Sequence, residues 1–333
     1  MKAVFIDEYG GAEHLRVGEA QKPTPGPNEA LVKIEYAGLR WGDVMQRNGL
    51  PSRARPTPFI GGQEATGVIE AVGAEVRKWK PGQRVMATPT GGAFAEYCAV
   101  HPARLQLVPD NVPLERMLGY PVNMRTAYYM IYTWAKVQEG DRVLLHAAAG
   151  GVGLLTLQML KRDFKNVSVV AIASTEEKLR MLRDEGADYV INRKTQNYVE
   201  EVLKFWGPKA SGFETGGQLA GGVDVSFNGV SGETLDTDWQ VIRKRGRWVM
   251  YGYAAGRGRL DTSKFGYDGI TVMPFSSIAW TGTPEHAAAS AYTDEWLRKE
   301  RLIAPQIHPL EDMQAVQRAF EAGETTGKVV FKV

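Results

Sequence analysis

The chain carries a single cysteine, Cys98, in 333 residues. One thiol forms no intramolecular disulfide and cannot furnish a multi-cysteine zinc lobe. Histidine is almost as scarce: His14, His101, His146, His286 and His308 are dispersed, with no short metal-ligand spacing among them. No apolar run approaches the ~18 residues that a membrane-spanning helix requires. Charge of one sign is not in excess either. Forty Lys and Arg face 38 Asp and Glu, a formal net charge of +2, and no basic cluster is long enough to form a nucleic-acid stripe. Neither nucleic acid nor a membrane is therefore an expected partner. The opening Met1-Lys2-Ala3-Val4-Phe5-Ile6-Asp7-Glu8 meets its acids too early for a signal peptide. A cytoplasmic location is the expectation.

What the chain does contain changes character partway along. To about residue 110 it reads as short apolar runs, Lys2–Ile6, Ala30–Tyr36, Ala65–Val72, Arg84–Ala87 and Ala93–Val100. They are punctuated by Gly and Pro clusters such as Pro23-Thr24-Pro25-Gly26-Pro27 and Gly61-Gly62. Many short strands with such turns predict an irregular barrel or sandwich. From about 123 strands and helices alternate: strand Asp141–Ala147, helix Gly153–Phe164, strand Val167–Ala173, helix Glu176–Glu185, strand Tyr189–Ile191. Helix Val199–Phe205, strand Gly222–Phe227, helix Leu235–Arg243 and strand Arg247–Tyr251 continue the series. That alternation predicts an α/β, doubly wound parallel sheet. Residues 208–221 read as a surface loop. The tail Val329–Val333 regains strand character after a helix over Leu310–Ala322, so the chain end is expected to rejoin the first domain.

Strand Val143–His146 runs directly into Ala147-Ala148-Ala149-Gly150-Gly151-Val152-Gly153 and an apolar helix. A dinucleotide fingerprint places Gly-x-Gly-x-x-Gly at such a junction. Small residues let the backbone approach the pyrophosphate, whose charge sits on the helix N-terminus. Ala148 takes the first glycine position, Gly150 and Gly153 the second and third. A tight turn without ligand is the bland alternative. The second strand ends at Ser174, where an NAD-selective enzyme keeps an acid for the ribose 2′-hydroxyl. Ser174 can donate to a 2′-phosphate instead, with Lys178 one helical turn on and Arg193 after the next strand. The missing acid and these donors favour NADPH, unless the two cations are merely solvated surface charges.

These stretches resemble the medium-chain dehydrogenase/reductase superfamily, and within it the zinc-independent quinone oxidoreductase, zeta-crystallin-like branch. The resemblance rests on Gly61-Gly62-Gln63-Glu64-Ala65-Thr66-Gly67-Val68-Ile69-Glu70-Ala71-Val72-Gly73, Pro121-Val122-Asn123-Met124-Arg125-Thr126-Ala127-Tyr128-Tyr129 and Leu144–Gly153. The closing Gly327-Lys328-Val329-Val330 also fits. It implies a GroES-like β-barrel catalytic domain over 1–122, completed by 290–333. A Rossmann cofactor domain over 123–289 follows, with the active site in the cleft between them. Where zinc-dependent relatives place metal ligands, this chain has Arg40, Gln63 and Val122, which do not make a zinc site. Without a Lewis acid, alcohol oxidation gives way to hydride delivery to an electron-poor quinone or α,β-unsaturated carbonyl. An enoyl-thioester reductase is the alternative within enzymes. A catalytically weak NADPH-binding protein is the alternative outside them.

By family position, Asn123 and Thr126 lie beside the nicotinamide; helix capping is the plainer role. Ala149, Gly150, Gly151, Val152 and Gly153 hold the phosphates. Asn228, Val230 and Gly252 follow strands at the ligand-binding end of the sheet, or are ordinary loop punctuation. Lys328 matches a family lysine near the cofactor, and a solvated lysine is the other reading. Arg40 has two readings: it holds the substrate oxygen and the anion formed there, or it pairs with Asp43 and fixes a loop. Tyrosines that some relatives carry in this loop are replaced by Met45 and Pro51, so water is the expected proton source. Trp41, Met45 and Gln63 line the expected substrate pocket, with Trp280 a further apolar candidate, though such residues are commonly plain core. His146 and Cys98 read as structural. Residues Ile270–Ser276 are the candidate edge strand for a homodimer.

Overall fold

The computed structural model describes residues 1–50, 54–210, 221–299 and 302–333. Pro51, and residues 211–220 of the expected surface loop, lie outside the described residues. The chain divides into two compact units, Met1–Val122 with Glu295–Val333, and Asn123–Asp294.

The first unit is built from short antiparallel strands: β1 (Lys2–Ile6), β2 (Leu15–Glu19), β3 (Ala30–Gly38), β4 (Phe59–Ile60), β5 (Ala65–Val72), β6 (Arg84–Ala87), β7 (Tyr97–Val100) and β8 (Leu105–Leu107). Along β3 the pleat turns Val32 and Ile34 inward and Lys33 and Glu35 outward. This strand pairs with β5 on one side, Ala37 opposite Ala65, and with β7 near its start, Lys33 opposite Tyr97. Val32, Ile34, Ala65, Ile69, Val85 and Cys98 form one buried cluster. Burial pushes the Cys98 thiol up to about 12, so it stays an unreactive thiol. Helix α1 (Trp41–Arg47) follows β3 and was not foreseen. It begins because Asp43 Oδ2 accepts the Arg40 backbone N–H at 2.8 Å, satisfying a donor at the helix start. Helices α2 (Leu114–Met117) and α3 (Pro121–Tyr128) come next, the latter running on into a wider π-helical turn over Tyr129–Trp134.

The second unit carries β9 (Arg142–Leu145), α4 (Gly151–Asp163), β10 (Ser168–Ala173), α5 (Glu176–Asp184), β11 (Tyr189–Asn192), α6 (Tyr198–Trp206), β12 (Val223–Asn228), β13 (Ile242–Met250) and β14 (Thr271–Pro274). All pairings are parallel, in the order β11-β10-β9-β12-β13-β14. The expected doubly wound sheet is present. Every residue of β12 is buried, as a central strand covered on both faces requires. The core gathers Leu144, Val170, Ile172, Ile191, Val202 and Trp248. One expectation fails: Leu235–Arg243 is no helix. Short 3-10 turns cover Gly232–Asp236 and Asp238–Gln240, and β13 has begun by Ile242. Thr234, Thr237 and Asp238 hydrogen-bond through their side chains there, which competes with a regular helix.

After α7 (Pro284–Lys299) the chain returns to the first unit with β15 (Gln306–Pro309), α8 (Met313–Glu321) and β16 (Val329–Lys332). The last strand pairs antiparallel with β3, Phe331 opposite Ala37, and Phe331 joins Val4, Leu39, Phe94 and Met313 in a second buried cluster. Among the described residues no helix is long and apolar enough to cross a membrane.

Candidate functional site

The glycine turn has the geometry that its sequence demands. Ala147, two residues past the end of β9, sits at φ +50°, and Gly150 precedes the first turn of α4 without any side-chain cap. The leading N–H groups of that 13-residue helix, including those of Gly151, Val152 and Gly153, lie where a helix offers unsatisfied donors and positive potential. A Cβ on Gly153 would stand 2.5 Å from Ala147 O and 2.8 Å from Ala148 Cα. Only glycine lets the helix lie that close to the strand. Ala149 is buried beneath the turn.

One strand along, Ser174 follows the end of β10 and is buried, as is Lys178 on α5. Thr175 caps α5 by accepting the Lys178 N–H at 3.4 Å. With 6% of its surface exposed, Lys178 is no solvated surface charge. Arg193 is exposed, yet its N–H donates to Ala173 O at 2.9 Å, which ties it to the same strand end. The three donors proposed for a 2′-phosphate therefore gather at the carboxyl ends of β10 and β11.

Beyond β12, Asn228 is wholly buried and committed within the protein. Its Nδ2 donates to Thr234 and Asp238, and its Oδ1 accepts the N–H groups of Val230 and Ser231 at 2.9 Å. Direct contact between this amide and a cofactor is thus corrected to a supporting one: Asn228 fixes the backbone of Val230. A Cβ on Gly252 would lie 2.4 Å from Gly229 O, so the loops after β12 and β13 are pressed together there. Asn123 and Thr126 both lie inside α3, one turn apart on one face, rather than at its cap. The Asn123 amide is half-buried, with no hydrogen bond among the described residues.

The first unit holds a cluster of four charges. Arg40 Nη2 donates to Gln63 O at 3.0 Å and to Gln63 Oε1 at 2.9 Å, and its Nε lies 3.7 Å from Glu64 Oε2. Glu64 is completely buried and also takes the Lys328 ammonium, which bonds Leu39 O at 3.0 Å. Gly38 is required beside them, since a Cβ there would meet Glu64 Oε1 at 2.3 Å. This overturns the solvated reading of Lys328, whose ammonium is buried in an ion pair with Glu64. Burial lowers its pKa, against the raising influence of Glu64. Burial likewise pushes Asp43 up to about 6, with Arg40 opposing. Asp43 binds the Arg40 backbone, while the guanidinium turns to Gln63 and Glu64 instead of pairing with the Asp43 carboxylate. One edge of the guanidinium is anchored, and Nη1 makes no hydrogen bond among the described residues. Trp41 and Met45 are half-buried on α1, and Trp41 packs on Phe320 with ring centroids 5.7 Å apart. Trp280 stacks on Tyr129 within the second unit.

A family zinc would not fit these donors. The guanidinium of Arg40 lies on Gln63 and beside Glu64, and the third ligand position is Val122. A fixed cation bonded to the would-be ligands repels a metal, and amide and aliphatic groups supply none of the usual zinc donors. The sequence carries no local sign of a role for Glu64 or Asp238, two of the buried acids around which polar side chains are organised.

Residues 26–110 match the alcohol dehydrogenase GroES-like domain, and residues 151–291 match the zinc-binding dehydrogenase family. A probable quinone oxidoreductase of Schizosaccharomyces pombe is 31% identical over 98% of this chain and 95% of its own length. The synaptic vesicle membrane protein VAT-1 homolog of Rattus norvegicus is also 31% identical, over 76% of this chain. That match spans only 60% of the rat protein. A mycobacterial structure described as complexed with NADPH superposes with a TM-score of 0.87 at 30% identity, covering 100% of both chains. With both family models in order along the chain and a near-full-length relative at that identity, the chain belongs to the quinone oxidoreductase branch of the medium-chain dehydrogenase/reductase superfamily.

Proposed function

We propose that the chain is an NADPH-dependent reductase that delivers hydride, without metal, to a quinone or an α,β-unsaturated carbonyl compound. The observation that carries the reading is the Arg40 guanidinium, anchored along one edge by Gln63 and Glu64 with Nη1 uncommitted. The glycine turn, Ser174, the buried Lys178 and the NADPH complex of the mycobacterial relative support the cofactor. Residues 1–122 with 290–333 serve as the catalytic domain and 123–289 as the cofactor domain. A cytoplasmic homodimer, paired through the edge strand β14, belongs to the same proposal.

NADPH, when bound, supplies the hydride. Arg40 donates from Nη1 to the acceptor's carbonyl oxygen. It stabilises the enolate or hydroquinone anion that follows, with no reorganisation because Gln63 and Glu64 already hold it. Asn123 and Thr126 orient the nicotinamide end. Gly150, Gly151, Val152 and Gly153 take the phosphates on backbone N–H groups, and Val230 and Gly252 border the same end of the sheet. Trp41, Met45 and Gln63 line the acceptor pocket, and water returns the proton.

The test is loss of NADPH absorbance against a panel of quinones, enones and enoyl-CoA thioesters. Quinone or enone turnover is expected from metal-stripped protein. Arg40→Ala should lower kcat by roughly a hundredfold, the scale of a lost oxyanion donor, while leaving the NADPH dissociation constant near wild type. An unchanged kcat removes Arg40 from the mechanism. Turnover confined to thioesters replaces the acceptor class.

A further inference from the structure

The second unit contains a buried carboxylate that the reaction above does not use. Asp238 is 0% exposed, in the stretch where a helix was expected. It accepts four side-chain donors. His146 Nε2 and Tyr198 OH reach Oδ1, each at 2.8 Å, and Ser226 Oγ and Asn228 Nδ2 reach Oδ2 at 2.8 and 2.9 Å. Burial alone would raise its pKa. The His146 charge and the hydrogen bonds from His146, Ser226 and Asn228 outweigh burial and hold the carboxyl below its ordinary range.

The origin of those donors gives the carboxylate its meaning. His146 directly follows β9, and Ser226 and Asn228 belong to β12. In the order β11-β10-β9-β12-β13-β14 the chain winds outward in both directions from β9 and β12. Their carboxyl ends therefore flank the switch point, where open parallel sheets bind ligands. On the β9 side, the residue after His146 is Ala147, at φ +50°. On the β12 side, Asn228 Oδ1 holds the N–H of Ser231, at φ +55°. Two non-glycine residues in the left-handed region thus flank the same carboxylate, each one hydrogen-bonded residue away from it. Such conformations persist only where surrounding contacts over-determine them.

We propose that Asp238 is a positioning residue for the dinucleotide. Through His146 and Asn228 it locks the glycine turn and the Asn228–Ser231 loop at the spacing that one cofactor must bridge. The proposal rests on the NADPH reading above, and it adds a determinant outside the cofactor-contacting positions assigned there. A cofactor lying across the switch point needs both loops in register, whereas a fragment held only at Ser174 and Lys178 needs neither.

The experiment compares NADPH with adenosine 2′-monophosphate, which presents the 2′-phosphate alone, on the full-length protein. Asp238→Asn keeps the shape but turns an N–H toward donors. It should weaken NADPH at least about tenfold and raise its KM, while kcat at saturation and the fragment's affinity stay within roughly twofold. Unchanged NADPH affinity, or an equal loss for both ligands, overturns the proposal; the second outcome marks Asp238 as a general stabiliser. If Asp238→Asn does not fold, Tyr198→Phe with Ser226→Ala removes two of the four donors and leaves the carboxylate in place. NADPH should then weaken by about threefold or more with the fragment unmoved, and no change in NADPH binding overturns the proposal equally. Wild-type protein that binds neither ligand would instead overturn the cofactor reading itself.

Discussion

Replacing Lys328 by methionine removes one cation from the Glu64 cluster and preserves most of the stem's volume. Glu64 then loses the ammonium that shields it, at a site with no exposed surface. The nearest remaining cation is Arg40, whose Nε lies 3.7 Å away and whose side chain is 20% exposed. Breaking a buried pair from one side costs about 3–5 kcal/mol, and Arg40 holds this case near the lower end, at roughly 3 kcal/mol. Glu64→Gln should cost a similar amount, because it strands the ammonium with Leu39 O alone. The double substitution should cost less than the sum by ~1–3 kcal/mol, the range of coupled contacts. Because the chain has two units, one global transition would blur the effect. Native-state hydrogen exchange read by mass spectrometry localises it. Protection should fall in β16 and β5, which carry the cluster into the sheet, and stay unchanged in β10 and β12. A single-substitution loss under about 1 kcal/mol, or strict additivity, would refute the buried-pair argument. The NADPH dissociation constant of Lys328→Met should remain near wild type, because the ammonium is committed to Glu64. A large loss of affinity would favour the cofactor role instead.

Asp43 gives a pH prediction with a definite sign. Its native carboxyl is pushed up to about 6 from an ordinary 3.8, so between those values the native state keeps a proton that the unfolded chain has released. Stability therefore falls as pH rises through that window, by about 3 kcal/mol. Asp43→Asn should flatten this part of a urea-midpoint profile; an unchanged slope would place the dependence elsewhere. At the other site, Lys178→Ala should weaken NADPH about tenfold or more, as loss of a charge-assisted contact implies, and leave NADH nearly unaffected. Equal effects on both cofactors in fluorescence titrations would separate Lys178 from the 2′-phosphate.

The elements legible in the sequence are those whose signal is local. A compact apolar strand, a run of small residues and an amphipathic helix follow one another over Arg142–Asp163, and no distant residue is needed to read them. The closing strand Val329–Lys332 was readable for the same reason, as was the apolar run that becomes β3. Helix α1 was missed because its start depends on one backbone-to-Asp43 bond rather than on an apolar period. The false helix at Leu235–Arg243 has the opposite cause. Its apolar spacing is acceptable, but Asp238 is drawn inward by His146, 92 residues earlier in the chain, and by Ser226 of β12.

The candidate site was legible by residue type and illegible by partnership. Arg40, Gln63 and Val122 stand out by type where zinc-dependent relatives carry ligands, and no local pattern could add that Glu64 joins Arg40 to Lys328, 264 residues later. That link changes what Arg40 can do. An isolated guanidinium in a loop would have to be ordered by each substrate that it meets. Here Gln63 and Glu64 occupy one edge of the fork in advance, and the negative charge of Glu64 lies behind the group. With Asp43 ionised the cluster balances two cations against two carboxylates, so no net charge is stranded in the fold. The arrangement still presents a positive end at Nη1. A metal ion supplies such a field by coordination and can be stripped by a chelator. The chain supplies it with covalently fixed groups, so acceptor reduction should survive chelation and fail when the Gln63 and Glu64 supports are removed together, even though Arg40 itself remains.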